Sequence, residues 1–190
     1  PASQPENTAP NASPTIAMAA SPWANLIAVS GHRKVHLYGD EDVDGAAKFV
    51  GSLEFPEGDV QDLGFSANGQ LLLVAGGIPA KSGNVAVFDV LTGKRVATLG
   101  EEYDAVLSAD ISADHRYVAL GTTSKLVKNY AADSGKLLHS TQKHTDWVSV
   151  VRFSPDGKQL ASGDRNGGVF VWEAESGGIV YSLDESWGQA

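Results

Sequence analysis

The sequence predicts an all-β chain built from four repeats of one four-stranded antiparallel unit, and three observations carry that prediction. First, a serine-led turn recurs at Ser21, Ser66, Ser112 and Ser154, with spacings of 45, 46 and 42 residues. Second, each serine is followed nine or ten residues later by a glycine (Gly31, Gly76, Gly121, Gly163), and then by an aromatic residue in an apolar run (Tyr38, Phe88, Tyr130, Trp172). Third, apolar and polar residues alternate with period two between these anchors, the pattern of half-buried strands. Four short strands in each period of this length is the signature of β-propeller blades.

The elements follow in order, with the strands of each repeat lettered a to d. Residues 1–13 hold three prolines and no apolar periodicity, and read as a flexible Pro/Ala/Asn-rich linker or arm. Blade 1 covers 14–58, with strand a at Ile16–Ala20; blade 2 covers 59–104, with strand a at Val60–Phe65; blade 3 covers 105–146, with strand a at Val106–Ile111. Blade 4 covers 147–187 and shows the pattern best: Val148–Phe153 is strand a, Gln159–Ser162 strand b, Val169–Glu173 strand c and Ile179–Leu183 strand d. Turn-rich connections separate them at Ser154–Lys158, Gly163–Gly168 and Ala174–Gly178. Residues 188–190 read as the start of a truncated continuation, because Glu185-Ser-Trp-Gly-Gln-Ala190 resembles the lead-in Glu102-Tyr-Asp-Ala105 before the third repeat.

Composition narrows function by exclusion. The net charge of −9 and the pI near 4.9 leave no basic stripe for nucleic acid. No run of 18 apolar residues predicts a membrane span. With no cysteine, the chain has no disulfide, thiolate metal site or covalent haem attachment.

The fourth repeat, His144-Thr-Asp-Trp-Val … Phe-Ser-Pro-Asp-Gly … Leu-Ala-Ser-Gly-Asp-Arg-Asn-Gly-Gly-Val-Phe-Val-Trp172, resembles a WD40 repeat. The resemblance spans roughly residues 14–187 and is weaker in the first three repeats. It implies WD40-type β-propeller blades and a hydrogen-bonded structural network, which maps onto His144, Ser162, Asn166 and Trp172, with Asn166 at the family's Asp position. In the first three repeats the histidine is missing and the Trp position holds Tyr38, Phe88 and Tyr130, so those blades are expected to rely on apolar packing. A narrower resemblance, carried by Glu102-Tyr-Asp-Ala-Val-Leu-Ser-Ala-Asp-Ile-Ser-Ala-Asp-His and Ser162-Gly-Asp-Arg-Asn-Gly-Gly, is to bacterial WD-repeat regions of the planctomycete type, which often follow a c-type cytochrome domain. The same reading favours a periplasmic over a cytoplasmic location.

Closure of the ring is the open question. Four blades are the lower limit for a closed propeller, and the first repeat opens on strand a while the last ends on strand d. The expectation is part of a larger ring, completed by further blades of the same protein or by a second copy, with a closed four-bladed monomer as the remaining possibility.

Chemistry-bearing patterns are few. Asp40-Glu-Asp-Val-Asp-Gly45 opens like a calcium loop, which makes Asp40, Asp42 and Asp44 the metal candidates. The closing acid is missing, since Gly51 and Lys48 occupy the positions where it would fall, and an acidic solvated hairpin is the simpler reading. Ala75-Gly-Gly-Ile-Pro-Ala-Lys-Ser82 lacks the strand–loop–helix context of a phosphate loop and reads as an enlarged b–c connection. His32, His36, His115 and His139 read as surface histidines, and no catalytic constellation is present, so neither an enzyme nor a cofactor is expected. What remains is surface. The resemblance implies partner docking on the d–a and b–c loops, which carry His32, Arg33, Tyr103, Asp104, Asp146, Trp147 and Arg165. Trp, Tyr and Arg are the types enriched at binding hot spots. The expected function is a non-enzymatic protein-interaction scaffold, with an accessory propeller region of a larger redox or other enzyme assembly as the alternative.

Overall fold

A computed structural model describes residues 15–41, 45 and 47–183. The N-terminal arm assigned to 1–13 and the continuation assigned to 188–190 lie outside the described residues. The sixteen strands described form four four-stranded antiparallel sheets, each ordered a-b-c-d in sequence. β1–β4 (Met18–Ala20, Ile27–Gly31, Lys34–Glu41, Ala47–Glu54) make blade 1, and β5–β8 (Asp59–Phe65, Leu71–Ile78, Ser82–Asp89, Arg95–Glu102) make blade 2. β9–β12 (Val106–Ile111, Tyr117–Thr122, Val127–Ala131, Leu137–Thr141) make blade 3, and β13–β16 (Val148–Phe153, Gln159–Asp164, Val169–Glu173, Ile179–Ser182) make blade 4. Among the described residues no helix is long and apolar enough to cross a membrane.

The repeated serine is explained by the a–b turn. Its hydroxyl donates to an acid or amide two residues on and accepts the N–H that opens strand b: Ser112 Oγ lies 2.6 Å from Asp114 and 2.9 Å from the Tyr117 nitrogen, and Ser154 repeats this with Asp156 and Gln159. Asn68 stands in for the acid beside Ser66. The serine hydroxyl holds Asp114 and Asp156 below the ordinary carboxylate range. In the first turn the indole of Trp23 instead donates to the Ala67 carbonyl at 2.7 Å, tying the turns of blades 1 and 2 together.

The repeated aromatic is explained by strand c. In every blade a β-bulge in the c–d ladder falls immediately before it, at Leu37/Tyr38, Val87/Phe88, Asn129/Tyr130 and Val171/Trp172. A bulge re-aims the local side chain and sharpens the twist.

The core lies in the seams between blades. One cluster joins Ala28, Val35 and Leu37 of blade 1 to Leu63, Leu72 and Phe88 of blade 2. A second joins Leu73, Val85 and Val87 of blade 2 to Val118, Leu120 and Tyr130 of blade 3. A third joins Ala119 and Val127 of blade 3 to Val151, Phe170 and Trp172 of blade 4. None of the three joins blade 4 to blade 1. The middle blades are therefore buried on both faces, as in β10, whereas strands of blades 1 and 4 alternate buried with exposed, as in β14.

Strand a of blade 3 and strand a of blade 4 are each also stitched to strand a of the blade before. Asp62 accepts the Ser108 hydroxyl at 2.7 Å and the Ala109 N–H at 3.1 Å; Ser108 in turn accepts the Val151 N–H at 3.2 Å, and Asp110 the Phe153 N–H at 2.7 Å. Arg152 reaches back to both Ser108 and Asp62, at 3.0 and 3.1 Å, so one guanidinium spans three blades.

Ala75–Ser82, expected as an enlarged connection, is the end of a long hairpin. β6 and β7 pair through Ile78↔Ser82, and Pro79–Lys81 alone make the turn.

Candidate functional site

The network in blade 4 is built where the d–a loop folds over the end of strand b. His144 Nδ1 lies 2.9 Å from Asp164 Oδ2, and its Nε2 lies 2.7 Å from Ser162 Oγ, to which the Trp172 indole also donates at 2.7 Å. With the proton assigned to Nδ1, the chain runs in one direction: indole N–H to hydroxyl, hydroxyl to Nε2, and Nδ1–H to carboxylate. The acid is Asp164, not Asn166. Asp164 is the last residue of strand b, so its side chain folds back over the turn; Oδ1 accepts the N–H groups of Asn166 and Gly168, and Oδ2 that of Thr145. Asn166 sits in the turn itself, where its amide donates to Thr145 Oγ1 at 3.2 Å. Burial alone would raise the Asp164 pKa, but the bonds from His144, Gly168 and Thr145 outweigh it and hold the carboxyl below its ordinary range. Phe170 stacks edge-on against the imidazole at 4.8 Å.

Apolar packing does not account for all the other blades. Glu102 stands four residues before Val106, as His144 stands four before Val148, and pairs with Lys128 at 2.6 Å, both largely buried. Lys128 occupies the strand-c position of Phe170, so blade 3 closes this seam with an ion pair. Burial, with Glu102 and Glu101 nearby, pushes the Tyr130 phenol up to about 12. Nor are the histidines all free at the surface. The ring of His36 packs with Tyr38 and Phe49, and its Nδ1 is buried; His115 Nε2 is buried too, on a residue held at φ 59°. His139 Nε2 lies 2.6 Å from the Glu175 carbonyl and bridges blades 3 and 4.

The seven loop residues form three successive clusters along one rim rather than a single convergent patch. In the first, His32 lies 3.2 Å from Asp59, and Arg33, held at φ 54°, donates to the Pro56 carbonyl. In the second, Asp104 accepts the N–H groups of Ala80 and Ala105, which hold it below the ordinary carboxylate range, while Tyr103 beside it is 76% exposed. The third is the most built. Asp146 accepts the Trp147 N–H at 2.7 Å, the Trp147 carbonyl accepts the Arg165 N–H at 3.2 Å, and the Arg165 guanidinium stacks over the Trp147 ring at 4.8 Å. Trp147 stays 40% exposed.

Of the metal candidates, Asp40 accepts the Asn25 amide at 2.8 Å, and Asp42 and Asp44 lie outside the described residues. Among the described residues no three His, Asp or Glu side chains are gathered as a metal cluster would require.

The sheet order, the seams and the His144–Asp164–Ser162–Trp172 network define a class: β-propeller blades of the WD type. Comparison with known proteins agrees. The family model "WD domain, G-beta repeat" (WD40) matches residues 135–173, from the end of blade 3 through strand c of blade 4. It is 27% identical over 130 residues, 68% of its length, to "WD repeat-containing protein 1" of Mus musculus, and 28% identical over 130 residues to "WD repeat-containing protein 1-B" of Xenopus laevis. It is 30% identical over 99 residues, 52% of its length, to "Apoptotic protease-activating factor 1" of Homo sapiens. The chain spans 21% of each of the two WD repeat-containing relatives and 8% of the third.

Proposed function

We propose that these blades act as a non-enzymatic protein-interaction scaffold whose docking surface is the rim of d–a and b–c loops. The observation that supports this best is the Trp147–Arg165 pair. A tryptophan with a guanidinium over its face is an anchor of the kind that dominates binding interfaces. Here it is held in place before any partner arrives: its backbone is pinned on both sides, and the loop beneath is fixed by the buried Asp164–His144 bond. Preorganisation of this kind lowers the entropy cost of docking. Tyr103 adds a second exposed aromatic on the same rim.

Quantitative proximity labelling with wild type, Trp147→Ala and Leu91→Ala tests the reading, since Leu91 is 94% exposed in the c–d turn of blade 2, away from the rim. The scaffold reading expects Trp147→Ala to keep its β-sheet spectrum and to lose one or more neighbours by about tenfold, equivalent to roughly 1.4 kcal/mol, while Leu91→Ala keeps them. A folded Trp147→Ala that retains every neighbour defeats the rim as the docking surface.

A further inference from the structure

We infer that the rim's docking partner is an acidic segment of another polypeptide, bound through a cation that each b–c turn presents; the inference rests on the rim reading above and names its partner. The chain has 23 acidic and 14 basic residues, yet the four b–c turns reverse that balance. Arg33 lies in the first, Lys81 in the second, Lys125 in the third and Arg165 in the fourth, all exposed. No exposed acid shares any of these turns, since the side chain of Asp164, at the end of β14, is wholly buried. The turns of the opposite rim mix both signs, with Asp114 beside Arg116, Asp133 beside Lys136 and Asp156 beside Lys158.

The d–a loops between these turns do hold acids, but each is already engaged. Glu57 pairs with Arg95, Asp104 accepts the N–H groups of Ala80 and Ala105, and Asp146 accepts that of Trp147. Asp59, which opens β5, lies against His32. The cations are not so engaged. Among the described residues Lys81, Lys125 and Arg165 pair with no acid, and the Arg33 guanidinium meets a backbone carbonyl. Nor does the turn geometry call for them. The Lys125 N–H closes on the Thr122 carbonyl as the Gly167 N–H closes on that of Asp164, so the two residues are equivalent. Gly167 takes φ 89° without steric cost, whereas Lys125 is held at φ 65°, where a side chain is disfavoured. A lysine kept where glycine fits better points to a use for its charge.

A carboxylate-bearing segment matches this surface in charge and in chemistry. Guanidinium groups bind carboxylates through paired N–H bonds, and the lysines add point charges along the row. The exposed rings of Trp147 and Tyr103 give such a segment apolar footing between the charges. A nucleic acid fits less well. The net charge of −9 repels a long polyanion, and Arg165 already covers one face of the Trp147 ring, on which a base would stack.

Fluorescence anisotropy with fluorescein-labelled oligoglutamate, and with oligouridylate for comparison, tests the inference at about 0.1 M salt, where charges more than about 10 Å apart are screened. Arg33→Gln, Lys81→Gln, Lys125→Gln and Arg165→Gln combined should keep the β-sheet spectrum and weaken oligoglutamate binding by about tenfold, the sum expected of four exposed ion pairs. The matched set on the opposite rim, Lys94→Gln, Arg116→Gln, Lys136→Gln and Lys158→Gln, changes the net charge equally and should bind within about twofold of wild type. If the rim variant loses its fold, Lys81→Gln with Lys125→Gln, set against Lys94→Gln with Lys136→Gln, makes the same comparison. Equal losses from the two rims, no oligoglutamate binding by the wild-type chain, or tighter binding of oligouridylate overturns the inference. Proximity labelling of the fourfold rim variant separates this outcome from the rim reading itself. Neighbours that leave with Trp147→Ala but stay with the fourfold variant keep the rim as docking surface and overturn its acidic partner alone.

Discussion

An imidazole and a carboxylate buried side by side beneath a loop destabilise a fold unless their polar atoms are paired. At His144 and Asp164, whose side chains are wholly buried, both imidazole nitrogens and both carboxylate oxygens have partners. Removing the acid leaves the imidazole N–H and three backbone N–H groups without their acceptor. Asp164→Ala is therefore expected to cost about 2–4 kcal/mol and to lower the melting temperature by roughly 5–15 °C. Asn166→Ala, which loses one exposed amide bond, should cost under about 0.5 kcal/mol. Calorimetry of the two variants separates the roles; equal losses would refute the assignment of the acid. The sign of the pH dependence also follows. Because the folded pKa of Asp164 lies below the ordinary carboxylate value, its contribution is fully present above that value and is lost as pH falls through the folded one. The stability gap between wild type and Asp164→Asn should accordingly shrink as pH falls below about 4. His144, Ser162 and Trp172 were legible because the fourth repeat resembles a WD40 repeat, which implies such a network. The acid was misplaced by two positions because a count along the turn ignores the chain's reversal, although Asp164-Arg-Asn-Gly167 carries an Asx-type turn signal in its own right, Asp164 Oδ1 accepting the Asn166 N–H.

Among the elements, strand a was the most legible, and Val106–Ile111 and Val148–Phe153 have the bounds their alternation predicts. Strand b of blade 4 runs two residues further than its apolar pattern, to Asp164, because the backbone of Gly163 and Asp164 goes on pairing with Val150 and Val148. Ladder hydrogen bonds, unlike burial, leave no mark in side-chain polarity. The Glu102–Lys128 pair was illegible for a related reason: its partners lie 26 residues apart on different strands, and neither belongs to a motif. The glycine after strand a's turn, in contrast, was visible as a repeat, and its cause is packing. A Cβ on Gly76 would lie 2.1 Å from the Asp59 carbonyl oxygen, a backbone atom of the neighbouring strand that cannot yield without parting the β5–β6 ladder. On Gly64 the nearest atom would be 3.9 Å away, an ordinary contact. Gly76→Ala should therefore destabilise the chain by more than about 2 kcal/mol, the scale of overpacking in a filled site, whereas Gly64→Ala should stay within about 1 kcal/mol. Chemical denaturation of both variants checks this, and similar midpoints would show that the blade yields where its backbone is expected to be rigid.

For the whole molecule, the stability of the arc rests on its seams, and the third seam carries a titratable group against the usual trend. Asp110 sits on strand a of blade 3 and accepts the Phe153 N–H of blade 4. Burial raises its pKa, and the Phe153 N–H and the Arg152 charge, which favour the ionised form, do not fully offset that, while Asp62 across the second seam raises it further. The sign is the reverse of that for Asp164. A carboxyl whose folded pKa is raised binds its proton more tightly in the folded state, so its favourable contribution is present at low pH and is lost as pH rises from the ordinary carboxylate value through the raised one. Asp110→Asn keeps a carbonyl oxygen as acceptor and has no charge to bury, so the comparison isolates ionisation. The melting temperature of Asp110→Asn relative to wild type is expected to climb as pH rises from about 3 to about 6, whatever its offset at the acid end, since the starting point near 3.8 is that of an ordinary Asp. Scanning calorimetry at intervals over that range reads the slope directly. A flat difference would mean that the seam opens enough to hydrate Asp110 as blade 4 moves, and a falling one would mean that Arg152 outweighs burial and that the three-blade clamp is the dominant electrostatic feature of the arc.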